Sequence, residues 1–231
     1  MRACVIIPAY NAAKTLRPLV RQIRQMGLEA VVVDDGSTDQ TARVATDAGM
    51  LVISHLGNQG KGAALRSGFA FALQGGYDAV VTLDSDGQHD PREIPRLLQA
   101  VSSSRAAVVV GNRLQHGTAM PLLRRWTNRV MSWIVSALTR QPVPDSQCGL
   151  RAIHREALGT LRLSCRRFEI ETEVLLEAAR RGWLIASVPV QTIYDGHPSH
   201  IRPVRDGARF LRLIARYLWS RPPPRGALRN V

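Results

Sequence analysis

Five short runs of apolar, largely β-branched residues recur along the first half of the chain: Ala3 to Ile7, Ala30 to Val33, Met50 to Ile53, Ala79 to Leu83 and Ala106 to Val110. None alternates apolar with polar, so each predicts a strand buried on both faces, as the strands of parallel sheets are. Between them the period changes. Leu16, Leu19, Val20 and Ile23 share one helical face, Ala63 to Leu73 carries a second pattern, and Ile94, Leu97, Leu98 and Val101 a third. Strands alternating with helices specify an α/β fold with a mostly parallel central sheet flanked by helices.

Helix starts are signalled by Ser37-Thr38-Asp39 and by Asp90-Pro91, which puts the preceding loops at the carboxyl ends of strands. Beyond these lie a helix from about Pro121 to Leu138, a break at Pro142-Val143-Pro144, a helix from Glu169 to Arg181 and a strand from Leu184 to Val190. With no long linker, the pattern predicts one domain over residues 1–220, its halves meeting near residue 115. Pro222-Pro223-Pro224 marks residues 221–231 as a flexible tail.

Charge narrows the partners. The chain carries 31 Lys+Arg against 18 Asp+Glu, a net +13, and from Arg151 onward 15 Arg face 7 acids. Such a field attracts nucleic acid, an anionic membrane surface or a phosphorylated substrate. Nucleic acid is not expected, because only 5% of residues are aromatic and no stacking platform or basic reading helix is present. Cys4, Cys148 and Cys165 are odd in number and far apart, which suits a reducing cytosol rather than a disulfide framework or zinc cluster. No stretch of about 18 uninterrupted apolar residues predicts a membrane span.

The chemistry concentrates where strands end. After Val80-Val81-Thr82-Leu83 come Asp84 and Asp86, with the Gln88 amide two residues further on. Parallel sheets build their sites there. These hard oxygen donors suit Mg²⁺ or Mn²⁺ bridged to a diphosphate. A calcium loop is excluded, since His89 takes the place of the required glycine and Pro95 that of the closing Glu. Asp34-Asp35-Gly36-Ser37 ends the second strand with acceptors for base and ribose beside a helix start. Asn58-Gln59-Gly60-Lys61-Gly62 offers glycines that admit close backbone approach and a Lys61 charge, but its spacing is not that of a Walker loop.

Taken with the loop Pro8-Ala9-Tyr10-Asn11, these motifs resemble the family 2 inverting glycosyltransferases. Val110-Gly111-Asn112-Arg113 and Asp145-Ser146-Gln147-Cys148-Gly149-Leu150-Arg151 are most similar to its dolichol-phosphate mannosyltransferase-like branch. The resemblance implies a GT-A fold, with a nucleotide-sugar half to about residue 115 and an acceptor half beyond it. It implies that Pro8, Ala9, Tyr10, Asn11, Val33, Asp35, Lys61, Ser85 and Arg113 meet the donor, and that Asp84, Asp86 and Gln88 hold the metal. Arg151 is expected at phosphate and in catalysis. Two departures stand out: Ala12 replaces the acid that often follows Tyr-Asn, and the later basic segment reads Gly196-His197-Pro198-Ser199-His200-Ile201-Arg202.

A polyprenyl phosphate acceptor is ionised near neutral pH and needs no strong base. A hydroxyl acceptor on a lipid or glycan needs a carboxylate, for which Glu169 or Glu171 is the candidate. His197, His200 and Arg202 are expected at the acceptor phosphate, because Pro198 breaks the helical geometry of a zinc pair. Arg205, Arg209, Arg212 and Arg216 form one helical stripe beside Val204, Ala208, Leu211, Ala215 and Leu218, an amphipathic C-terminal helix suited to a membrane interface. Trp126, Val130, Trp133, Ile134 and Ala137 give a second apolar face, suited either to the interface or to packing on the sheet. The expectation is a hexosyltransferase, cytoplasmic and peripheral on the inner face of a membrane, with a homo-oligomer or a separate membrane-protein partner left open. A basic membrane-binding module with a vestigial nucleotide pocket is the rival.

Overall fold

The computed structural model describes residues 1–115, 120–191, 193 and 203–219. Its centre is a seven-stranded sheet. The strands are β1 (Ala3–Ala9), β2 (Glu29–Asp34), β3 (Leu51–Ser54), β4 (Ala79–Thr82), β5 (Val108–Asn112), β6 (Arg151–His154) and β7 (Ile185–Pro189). The helices are α1 (Ala13–Gln25), α2 (Thr41–Asp47), α3 (Lys61–Gln74), α4 (Ile94–Ser103), α5 (Leu122–Thr139), α6 (Arg155–Thr160), α7 (Ile170–Arg180) and α8 (Pro203–Trp219), with a 3-10 turn over Pro91–Glu93.

The strand order is β3-β2-β1-β4-β6-β5-β7. β1 pairs in parallel with β2 and β4, β2 with β3, and β5 with β7. The chain therefore winds outward through β2 and β3, then returns past β1 to β4, and a crevice opens at that reversal. All five apolar runs of the first half supply strands. Ile6, Ile7, Val31, Val32, Val81, Val109 and Val110 are wholly buried, as strands covered on both faces must be.

One strand lies outside the sequence expectation. β6 runs antiparallel between β4 and β5, with Thr82 opposite Arg151 and Val108 opposite Ile153. Arg-Ala-Ile-His has no apolar run to announce it, and its first residue is an arginine whose charge is satisfied inside the protein. β5 likewise extends past the apolar run to Gly111 and Asn112.

α1 buries Leu16, Leu19, Val20 and Ile23 as its period requires. α3 lies hard on β1, for a Cβ on Gly68 would meet Ile6 Cγ2 at 2.3 Å. α8 docks through Phe210, Leu213 and Ile214, while Arg216 reaches the buried Glu173 at 2.9 Å. Its other apolar stripe, Ala208, Leu211, Ala215 and Leu218, is exposed. Among the described residues no helix is long and apolar enough to cross a membrane.

Candidate active site

The site grows from the ends of β1, β2 and β4. Past β1, Tyr10 is exposed and Asn11 takes a left-handed φ of 49°. The Asn11 side-chain oxygen accepts from the Thr38 amide at 2.9 Å, and its own amide donates to Ser37 Oγ at 2.9 Å. Pro8 and Val33 sit opposite each other in the β1–β2 ladder. The buried Asp35 accepts from the Gln59 amide at 2.9 Å and the Gly60 amide at 2.7 Å. His55 Nδ1 lies 2.8 Å from the same carboxylate, and its Nε2 lies 2.9 Å from Ser67 Oγ. Asp35 thus fastens the loop before α3 beneath the loop after β2.

The glycines of that loop are needed for contact with protein. Gly60 has φ 100°, and a Cβ there would meet the Arg166 carbonyl oxygen at 2.3 Å. The amides of Gly62 and Ala63 both donate to that carbonyl, at 2.8 and 3.2 Å. The N-terminus of α3 is therefore capped by the segment before α7.

Lys61, the first residue of α3, reaches across the crevice. Its ammonium lies 2.6 Å from Asp84 Oδ1 and forms a second ion pair with Glu171 of α7. Burial works against the Lys61 charge, but Asp84 and Glu171 together raise its pKa above the ordinary lysine value. Burial likewise opposes ionisation of Asp84, yet Lys61 beside it holds that carboxyl below the usual range. Gly149 makes room for the carboxylate, since a Cβ there would meet Asp84 Oδ2 at 2.3 Å. Thr82 Oγ donates to the Gly149 carbonyl at 2.7 Å and so fixes that approach.

Among the described residues Asp86 has no such partner. Its carboxylate accepts from the Gln88 amide at 3.0 Å, and burial followed by the charge of Asp84 raises its pKa. Ser85 is half-buried between the two acids. The neighbouring His89 is buried with its Nδ1 unpartnered among the described residues, and burial lowers its pKa to about 4, so the ring is neutral at pH 7.

A divalent ion fits this donor set. Asp86 is a half-buried carboxylate short of positive charge, with Asp84 and the Gln88 side chain two positions to either side, all oxygen donors of the kind Mg²⁺ and Mn²⁺ take. Among the described residues no three His, Cys, Asp or Glu side chains converge to hold a metal unaided. An ion there would need further oxygens, such as those of a bound phosphate.

Arginines build the other wall. Arg113 is buried and donates to both oxygens of Asp145, at 2.8 and 3.0 Å. Arg151, also buried, donates to the carbonyls of Cys148 and Ser146, each at 2.7 Å, and to that of Glu171. Both guanidinium groups are engaged by protein where the resemblance implied phosphate. Glu169 precedes α7 with Oε2 buried and unpartnered among the described residues, while Glu171 turns to Lys61. His197, His200 and Arg202 lie outside the described residues. Burial pushes all three cysteine thiols up to about 12, so none is a nucleophile at neutral pH.

Asp145, Gly149 and His55 escaped the sequence reading of individual roles. Only Asp145 and Gly149 carried a signal, as members of the Asp145–Arg151 motif. A cavity of about 570 Å³ between α7 and α8, lined by Arg162, Glu177, Arg180 and Tyr217 among others, contains none of the Asp84 cluster.

The mixed sheet and its strand-end acids define a glycosyltransferase of GT-A type. The chain belongs to glycosyl transferase family 2, whose model matches residues 4–162. It is 32% identical over 213 residues to the UDP-N-acetylglucosamine–dolichyl-phosphate N-acetylglucosaminyltransferase of Methanococcus voltae, covering 82% of this chain and 85% of that one. It is 32% identical over 206 residues to the undecaprenyl-phosphate mannosyltransferase of Micrococcus luteus, covering 82% and 83%. Among solved structures it is similar to glucosyl-3-phosphoglycerate synthase from Mycobacterium tuberculosis in complex with Mn²⁺, UDP and glucosyl-3-phosphoglycerate. That match has TM-score 0.74 and 25% identity, over 95% of this chain and 79% of that one. The same enzyme with Mg²⁺ and UDP also gives TM-score 0.74.

Proposed function

We propose that the protein is a metal-dependent inverting transferase that moves a sugar from a nucleoside diphosphate to a polyprenyl phosphate on the cytoplasmic face of a membrane. The observation that carries this is the pair Asp84 and Asp86 at the strand-order reversal, Asp86 uncompensated, in a chain so similar to enzymes named for polyprenyl-phosphate acceptors. Pro8, Ala9, Tyr10, Asn11, Val33 and Asp35 shape the nucleoside pocket. Lys61, Ser85 and Arg113 border the diphosphate. Asp84, Asp86 and Gln88 would hold Mg²⁺ or Mn²⁺, which would supply positive charge against the leaving diphosphate.

In a single displacement, an acceptor phosphate oxygen forms its bond to the anomeric carbon while the bond to the diphosphate breaks on the opposite face. The electron pair leaves with the nucleoside diphosphate, and an ionised acceptor requires no proton transfer. Glu171 is tied to Lys61, which leaves Glu169 as the carboxylate a hydroxyl acceptor would call on. Arg151, His197, His200 and Arg202 serve the acceptor phosphate, Arg151 by fixing the walls around it. The basic surface and the exposed stripe of α8 favour attachment to an anionic membrane.

The test is incubation with a panel of UDP- and GDP-sugars, short polyprenyl phosphates, a matched polyprenol and 3-phosphoglycerate, each with and without chelator. The reading expects product from the polyprenyl phosphate alone, of inverted anomeric configuration, and abolished by chelation. Product from the polyprenol or from 3-phosphoglycerate instead would replace the acceptor assignment, and turnover indifferent to chelator would remove the metal.

A further inference from the structure

α5 turns an apolar stripe to solvent, although Met131, Ile134 and Leu138 on its flank pack against the core. Its inward face carries Asn128, Ser132, Val135 and Thr139, all buried, and polar bonds hold it in place. Ser132 Oγ accepts from the Ser146 amide at 2.8 Å, and Ser136 Oγ accepts from the Val143 amide at 3.0 Å. The opposite face holds Leu122, Leu123, Trp126, Val130 and Trp133, with exposures of 81%, 79%, 68%, 38% and 73%. These residues fall within about 100° of helical arc at 100° per residue. A surface helix normally turns that stripe to the core. Here the hydrogen bonds to Ser132 and Ser136 fix the opposite orientation, and among the described residues nothing covers the apolar stripe.

We infer that this face of α5 inserts into the interfacial layer of an anionic bilayer, as a helix lying in the membrane plane. Charge selects the occupant. α5 carries Arg124, Arg125 and Arg129 and no acidic residue, in a chain of net charge +13. Arg129 is exposed about 20° from the stripe and Arg125 about 60° from it, with Arg124 turned away, so a second copy apposed on this face would bring the first two together, whereas anionic headgroups match them. Composition agrees, for tryptophan prefers the depth where apolar chains give way to polar headgroups. The three charges among the 18 residues of α5 also exclude a spanning role. The inference deepens the membrane attachment proposed above, with α5 as an anchor separate in sequence from α8.

The experiment uses the full chain and vesicles of phosphatidylcholine with or without about one third phosphatidylglycerol. Trp219 is exposed as well, so fluorescence is read in a Trp219→Phe background, where Trp183 is buried and Trp126 and Trp133 report. Bilayers with brominated acyl chains should quench that emission, and further Trp126→Phe/Trp133→Phe substitution should abolish the quenching. Trp126→Ser/Trp133→Ser should weaken binding to anionic vesicles at least about tenfold, while turnover of a short water-soluble acceptor phosphate stays unchanged. Undiminished vesicle binding by the double Ser variant would overturn the inference. So would a wild-type dimer in sedimentation velocity that the same variant converts to monomer. Quenching without turnover on any acceptor would instead sink the proposed function and leave the membrane face standing.

Discussion

Around the site the two halves of the molecule hold their loops by different means, although farther out Glu173 accepts from the Ser164 and Cys165 amides and Arg24 donates to the Ala48 carbonyl. In the half built on β1 to β4, carboxylates and an amide oxygen collect backbone N–H groups: Asp35 takes those of Gln59 and Gly60, Asp39 that of Thr41, and Asn11 that of Thr38. In the half built on β5 to α8, guanidinium groups collect backbone carbonyls or a buried acid, as Arg151 does with Ser146 and Cys148 and Arg113 with Asp145. Lys61, Asp84 and Glu171 lie on the seam and draw on both. The first half fixes where anionic side chains stand, and the second fixes where cationic ones stand. A charged donor and an ionised acceptor can then meet between two rigid walls whose charges are already positioned.

Asp86 offers the sharpest test of this division, because among the described residues no cation forms an ion pair with it and its pKa is raised. Asp86→Asn should lower turnover about 1000-fold through loss of the metal's contribution, with thermal stability unchanged or raised. A variant that unfolds while residual enzyme works normally would mean that Asp86 is scaffold, like Asp35. Next in size are the two fasteners themselves. Asp145→Ala strands the Arg113 charge in the interior and should destabilise by about 3–5 kcal/mol in urea unfolding, with Arg113→Met alongside it recovering most of the loss. Asp35→Ala removes the acceptor from two neutral amides and from the His55 ring, a loss of about 2–3 kcal/mol. Equal losses in the two variants would erase the distinction between the halves.

Legibility follows the same line. β1 to β5 could be read because each is a run of residues that only a doubly covered strand accommodates, and the strand-end acids stand within a few residues of those runs. β6 could not, because the buried Arg151 looks like a surface residue until its three carbonyl partners are in view. Lys61 and Glu171 each drew notice as charged groups, but their pairing joins positions 110 residues apart. In α5 the period showed which residues share a face. It could not show which face meets the core, since that depends on Ser146 and Val143, residues of a later loop.

His89 fits neither scheme and adds a dependence on pH. Its buried ring titrates near 4, against about 6.5 in an unfolded chain. Between these values the unfolded state binds a proton that the folded state refuses, so stability is intact above about 6.5 and falls as pH drops toward 4, by about 3 kcal/mol. Unfolding in chelator-containing buffer at pH 7.5, 5.5 and 4.5 should show that slope and should show it flattened in His89→Leu. A slope shared equally by variant and wild type would assign it to other groups.

The smallest expected effect decides the chemistry at the seam. Glu169 and Glu171 sit two residues apart at the start of α7, yet only Glu171 is drawn to Lys61. If the acceptor arrives ionised, Glu169→Gln should change turnover by less than about threefold and leave its pH profile unmoved, because no proton has to be taken. Glu171→Gln should act differently, freeing Lys61 to pair with Asp84 alone and raising the KM for donor more than it lowers kcat. A collapse of kcat in Glu169→Gln with donor affinity retained would make Glu169 a base, turn the acceptor into a hydroxyl, and give the second half an anionic group in the chemistry.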